Sequence, residues 1–242
     1  MESNNHPAVL ELRNVSFTGN AKRSLALADV SLMIRQGELL MLHLDRSQNA
    51  RDIASLIQGL RQPRFGEVLF QESDWKGNDF DRHFKMRSKI GRVFDDQAWL
   101  ANLNMAENLM LASEHHGRDL DEVRVEVAEL CEQLSLDPTS WERPAFVDST
   151  RLQLYQWVRA MIGSPSLVLL ERPMKSVPTV WLPKLVAAVN RLRQRGAAVL
   201  WFAGNSSEAS AELIPPVAHF RLVSESLQPI ADLSLAGPEA TL

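Results

Sequence analysis

Residues 37–60 read GELLMLHLDRSQNARDIASLIQGL. Leu39 to Leu42 form a short unbroken apolar run, the length and composition of a strand buried on both faces. A polar loop follows, and then Ile53, Leu56, Ile57 and Leu60 recur at the spacing of one helix face. Gln62-Pro63-Arg64-Phe65-Gly66 ends that helix, and Glu67 to Phe70 returns as a strand. A buried strand feeding a helix through a loop is the building unit of a mainly parallel sheet covered on both faces.

The same pattern extends outward. Leu10 to Phe17 and Val30 to Ile34 alternate like half-buried strands, which predicts an antiparallel region near the N-terminus. Ile90 to Phe94, Leu167 to Leu170 and Ala198 to Phe202 read as further strands. Leu182, Leu185, Val186, Val189 and Leu192 mark an amphipathic helix closed by basic residues and Gly196. Residues 75–87 are polar and poorly periodic, whereas helical patterns run over about Met105–Ser113 and Asp121–Leu134. The expected architecture is α/β: a core from residues 1–95 and 163–225, an inserted helical subdomain over 96–162, and an unpatterned tail over 226–242.

Composition narrows the function. The chain has 242 residues, is 45% hydrophobic and carries a formal charge of -4, so general nucleic-acid binding lacks its electrostatic basis. No apolar run approaches the roughly 20 residues needed to span a bilayer, and the first residues lack a basic segment followed by an apolar core. The expected location is therefore cytoplasmic. Cys131, the single cysteine, lies among Val123, Val127, Leu130 and Leu134 at helical spacing, which indicates packing rather than metal or nucleophilic chemistry. Trp99, Trp157 and Trp201 read as core residues, and adjacent His115 and His116 as surface.

The loop after Leu42 stands where a phosphate-binding loop would. A working loop reads G-x-x-x-x-G-K-[ST], its backbone N–H groups closing round phosphates, its lysine reaching the outer ones and its hydroxyl serving magnesium. Here Leu44 and Ser47 replace glycines, and side chains stand where backbone should approach the ligand. Asp45 and Asp52 add like charge; at about 4 Å and an effective dielectric near 20, one such repulsion is on the order of 4 kcal/mol. Arg46 and Arg51 offer cations that could hold an anion bidentately, or could simply be solvated.

The order of elements over about residues 8–225 resembles the nucleotide-binding domain of ATP-binding-cassette (ABC) transporters. LELRNVSF, LADVSLMIRQGE and IQGLRQPRFGEVLF are similar to the family's first strands and P-loop surroundings, and Gly37, Glu38, Gly59, Pro63, Gly66, Arg159, Ala160, Pro165, Pro173 and Gly196 fall on framework positions. The resemblance puts the P-loop glycines on Leu44, Ser47 and Asn49, the lysine on Ala50 and the magnesium-binding hydroxyl on Arg51. It puts the Q-loop glutamine on Asp95, the signature on Val147-Asp148-Ser149-Thr150-Arg151, and the D-loop aspartate on Pro178. The Walker B aspartate and catalytic glutamate fall on Glu171 and Arg172, and the switch histidine on Gly204.

With the lysine, the metal ligands and the water-orienting group all substituted, the sequence predicts a noncatalytic pseudo-ATPase, with no cofactor expected and no ATP or magnesium bound. The resemblance implies an integral membrane permease as partner and a homodimer or a heterodimer with a second cassette, the chain lying peripherally on the inner face of the membrane. Asp95, Trp99, Leu100, Leu103, Met105 and Leu109 are the expected permease-docking residues. Ala98, Asn104 and Asn108 match the Q-loop region of Mla-type and Mce-type lipid transporters, which implies lipid cargo. Two alternatives stand beside this: a weak ATPase using Glu171 and the arginines, and a soluble regulatory adaptor.

Overall fold

Alternation of apolar residues builds the first layer of the fold. A computed structural model describes residues 6–19, 25–45, 48–96, 98–204, 208 and 212–230. β1 (Ala8–Thr18) and β2 (Ala26–Arg35) pair antiparallel, with Leu10 opposite Ile34 and Leu12 opposite Leu32. β4 (Phe65–Phe70) pairs with the other edge of β1, and β5 (Ser73–Asp74) closes a four-stranded sheet of order β2-β1-β4-β5. This is the antiparallel region expected from the sequence.

The second sheet carries the functional loops. β3 (Leu39–His43), β6 (Ile90–Val93), β7 (Leu167–Glu171), β8 (Ala198–Ala203) and β9 (Val217–Val223) run parallel, and β10 (Ser226–Pro229) adds antiparallel to β9. Their order is β10-β9-β3-β8-β7-β6. Every residue of β3, β7 and β8 is buried, which explains their unbroken apolar composition.

Period two divides those strands between two cores. Leu39, Met41, Val168, Leu170, Val199 and Trp201 face one core, shared with α3 (Met105–His115), α4 (Leu120–Gln133), α5 (Ser149–Met161) and α6 (Leu182–Gln194). Leu40, Leu42, Leu167, Leu169, Leu200 and Phe202 face the other, shared with the first sheet and α1 (Arg51–Ile57). Each fully buried aliphatic or aromatic side chain contributes roughly 1.5–3 kcal/mol relative to exposure. Cys131, Trp157 and Trp201 are all in the first core, in the packing roles read from the sequence.

Local chemistry sets the helix starts. Asn104 and Glu107 form a reciprocal capping box at α3, and Asp119 and Asp148 accept backbone N–H bonds at the starts of α4 and α5. The unpatterned stretch after Trp75 contains α2 (Phe80–Arg87), started by Asp79 and carrying Asp81 in its first turn and Lys85 and Arg87 in its last. The helix after the loop is shorter than its apolar spacing suggests. It ends at Ile57, Gly59 turns the chain at φ +65°, and Leu60 is exposed. Residues 226–229, which the sequence assigns to the tail, instead form β10, because β9 offers a free edge for backbone pairing; residues 231–242 lie outside the described residues. No helix among the described residues is long and apolar enough to cross a membrane.

Candidate functional site

The carboxyl ends of β3, β7 and β8 open on one side of the sheet, the place where open α/β sheets bind ligands. At the end of β3, Leu44 is buried and its N–H donates to the Ala203 carbonyl at 2.9 Å. Asp45 and Gln48 then close on each other: the Asp45 N–H donates to Gln48 Oε1 at 2.9 Å, and the Gln48 N–H donates to the Asp45 carbonyl at 3.0 Å. Arg46 and Ser47 lie outside the described residues. Asn49 Oδ1 accepts the Arg51 N–H at 2.7 Å, while Ala50, at the cap of α1, is buried and makes no side-chain capping bond.

Two charged side chains from this stretch already have partners. Arg51 donates to Asp96, and Asp52, buried in the first turn of α1, lies 3.5 Å from Arg61. Asp52 is 4% exposed, so it does not face the loop mouth as sequence position alone suggests.

β7 delivers the two residues at the Walker B positions in opposite directions. Glu171 points into the core, only 1% exposed, with Oε1 2.5 Å from Arg92 Nε. Burial pushes its carboxyl above the usual carboxylate range, against the pull of the Arg92 guanidinium. Arg92, on β6, also donates to Gln58 Oε1 at 2.7 Å and to the Arg51 carbonyl at 3.2 Å. A buried ion pair thus ties β6, β7 and α1 together. Motif reading passes over Arg92; its one signal in the sequence is a lone arginine inside a four-residue strand.

Arg172 turns the other way. Its backbone sits in the left-handed region at φ +43°, and its N–H donates to the Phe202 carbonyl at 3.0 Å. Nη2 donates to the Asp45 carbonyl at 2.6 Å and the Gln48 carbonyl at 2.9 Å, so the guanidinium lies across the loop. Its Nε is sealed from solvent without a hydrogen-bond partner among the described residues. Gly204, at the end of β8, clears the route: a Cβ there would stand 3.2 Å from Arg172 Cγ.

The remaining expected sites are local structure. Asp95 lies 2.8 Å from Lys175 Nζ. The signature stretch starts α5, with Asp148 accepting the Arg151 N–H at 3.0 Å and Thr150 Oγ1 donating to the Ser176 carbonyl at 3.0 Å. Pro178 caps a short 3-10 turn, in which Val180 is 78% exposed.

Of the docking residues, Leu100 is exposed and Trp99 half-buried, the latter with the Arg159 guanidinium 4.2 Å from its ring centre. Leu103 is half-buried. Met105 is corrected: it is a core residue on the inward face of α3 and presents nothing to a partner, whereas Leu109, buried in the same core, also lines the cavity beside α3. Asn104 and Asn108 also have local tasks. Asn104 caps α3, and Asn108 Nδ2 donates to the carbonyls of Leu100, Leu103 and Asn104.

A cavity of about 420 Å³ opens nearby, among α2, β6, α3 and the end of α5. Its lining includes Arg87, Lys89, Phe94, Arg118 and Arg159 and, among the described residues, no carboxylate. Burial lowers Arg159 to about 10, and its Nη2 is sealed without a hydrogen-bond partner among the described residues. His115 and His116 pack around Phe84, and no metal-binding cluster of His, Cys, Asp or Glu occurs among the described residues.

No family model matches the chain. Curated relatives do. The nickel import ATP-binding protein NikE of Brucella suis is 28% identical over 192 residues, covering 77% of this chain and 72% of that one. The ergothioneine transport ATP-binding protein EgtV of Helicobacter pylori is 22% identical over 85% of this chain and 93% of its own. The sulfate/thiosulfate import ATP-binding protein CysA of Mesorhizobium japonicum is 24% identical over 84% of this chain and 59% of its own.

Solved structures agree on the fold. The ATP binding subunit of an ABC transporter superposes with a TM-score of 0.77 at 19% identity, over 90% of this chain and 88% of that one. The dimeric cassette MJ0796, bound to ADP and Pi in a post-hydrolysis state, gives 0.76 at 21% identity over 90% and 96%.

These relatives overturn two expectations. The substituted motif positions predict a pseudo-ATPase rather than an enzyme, and a chain that takes no ATP or magnesium. Proteins similar to it over most of its length are instead named as ATP-binding subunits, and those names concern nickel, ergothioneine and sulfate or thiosulfate rather than lipid. The residues present fit a nucleotide's phosphates on one ground, the cationic arm of Arg172, which packs over Gly204 and lies across the loop. Magnesium does not fit Glu171, whose carboxylate is sealed against Arg92. The chain has the ATP-binding-cassette fold, and over most of its length its sequence is similar to ATP-binding subunits of transporters.

Proposed function

We propose that the chain is the ATP-binding subunit of a membrane import system, working with a second cassette on the cytoplasmic face of an integral membrane permease. The observation that carries this is the match to transporter ATP-binding subunits along most of the chain, in sequence and in fold together. The mouth of the loop at the ends of β3, β7 and β8 is the nucleotide site. Phe146 and Val180, exposed at 76% and 78% beside the signature and D-loop positions, suit the face toward the second cassette.

The basic cavity, whose Arg159 stacks on Trp99, supports the permease contact. Among the described residues it is lined by cations and by no carboxylate, in a chain whose net charge is negative. An acidic, apolar-faced cytoplasmic segment of the permease complements it. The lipid reading rests on Ala98, Asn104 and Asn108, and because the two asparagines serve the start of α3, cargo is not proposed from them.

Calorimetric titration of ATP with magnesium into the purified chain tests the reading. Saturable heat near one nucleotide per chain supports it, and a flat titration with folded protein overturns it.

A further inference from the structure

Among the described residues four cations stand near the loop, and three are neutralised by a carboxylate of their own. Arg51 pairs with Asp96, Arg92 with Glu171, and Lys175 with Asp95. Arg172 is opposed by no carboxylate among the described residues; its partners are two loop carbonyls. We propose that Arg172 is the phosphate-binding cation of this cassette, supplied from the end of β7 in place of the lysine that the loop lacks at Ala50. The inference rests on the ATP-binding reading above and names the residue that serves it.

Three independent features favour this assignment. The first is donor capacity. A guanidinium has five N–H donors in a planar fork; Nη2 lies on the Asp45 and Gln48 carbonyls, which take up only part of that fork. An anion oxygen brought to the fork would meet charge-assisted donors, which are about twice as strong as neutral ones.

The second is backbone geometry. Arg172 holds φ +43°, a conformation that a long side chain adopts only when its surroundings over-determine it. Here that turn aims the side chain away from the buried path of Glu171 and across the loop. The third is the cleared route. Residue 204 lacks a Cβ where one would stand 3.2 Å from Arg172 Cγ and 3.4 Å from Cδ, so the arm and the glycine fit as a pair although far apart in sequence. Together these put a guanidinium at the carboxyl ends of parallel strands.

The test is equilibrium titration of a ribose-labelled fluorescent ATP analogue, with magnesium, into the unmodified chain, R172M, G204A and the double variant R172M/A50K. Inorganic pyrophosphate serves as competitor, and a thermal melt of each variant reports its fold. The unmodified chain should bind and pyrophosphate should displace the analogue. R172M should bind on the order of 10- to 100-fold more weakly, as expected for losing a charged hydrogen-bonding partner. G204A should bind more weakly because the added methyl displaces the arm, and A50K should restore affinity to R172M by returning a cation from the loop. Equal affinity in R172M and the unmodified chain overturns the inference and leaves the ATP-binding reading standing. A loss that A50K fails to restore also overturns it, because Arg172 then acts by holding the loop. Absence of binding by the unmodified chain overturns both.

Discussion

Replacing Arg92 with methionine should destabilise the chain severely, and the structure sets the scale. Arg92 is 6% exposed and Glu171 1%, so R92M leaves a carboxylate in the core with its ion-pair partner gone. It also removes the bonds to Gln58 Oε1 and the Arg51 carbonyl that join β6 to α1. Breaking a buried pair from one side destabilises by about 3–5 kcal/mol. For a chain of this size that is a fall of about 6–20 °C in melting temperature.

Urea unfolding followed by tryptophan fluorescence measures the loss, since Trp157 and Trp201 are fully buried reporters. The pH dependence has a defined sign. Burial already raises the Glu171 carboxyl, and removing Arg92 raises it further. A group whose folded value is raised favours the folded state below its unfolded value and loses that contribution as pH rises through the folded value. The penalty in R92M should therefore shrink as pH is lowered from about 7 toward 5. The double variant R92M/E171L, which leaves no charge unpaired, should recover most of the loss or exceed the unmodified chain. An R92M loss below about 1 kcal/mol, or a double variant as unstable as R92M, refutes the pair as a structural tie.

Gly91 on β6 should not tolerate a side chain, because a Cβ there would stand 1.9 Å from the Ala160 carbonyl oxygen of α5; G91A should lower the urea midpoint and its soluble yield should fall. His43 is pushed down to about 4 by burial, with His219 and Arg221 also disfavouring its charge. Its folded value lies below its unfolded one, so stability should hold above about pH 6.5 and decline toward pH 4; H43F should flatten that slope in melts across the range. Cys131 is buried and pushed up to about 12, so native protein should react with a thiol reagent only at the rate of unfolding, and fully in denaturant.

The fold is largely legible in the sequence because strands buried on both faces have few polar residues to disguise them. β3, β7 and β8 appear as apolar runs, and α6 as an apolar stripe. Less legible are elements whose reason lies elsewhere in the chain. β10 exists because β9 has an edge to fill, and α2 shows itself through its cap and end charges rather than an apolar stripe.

The site is harder to read for the same reason. A motif counts residues along one segment, so Ala50 without its lysine looks like lost chemistry. The guanidinium that reaches the loop comes from the end of β7, over a glycine at the end of β8, and no local spacing reveals that pairing. Met105 and Leu109 resemble docking residues in the sequence because an apolar helix face reads alike whether it meets a partner or the core.

The central claim is that this chain is a transporter subunit. Its most direct test is affinity purification of the tagged chain from detergent-solubilised membranes, beside L100E, which adds negative charge at the exposed residue of the expected docking stretch. The account predicts a multispanning membrane protein in fixed stoichiometry with the unmodified chain and its loss with L100E. Recovery of the unmodified chain without any membrane partner would contradict it.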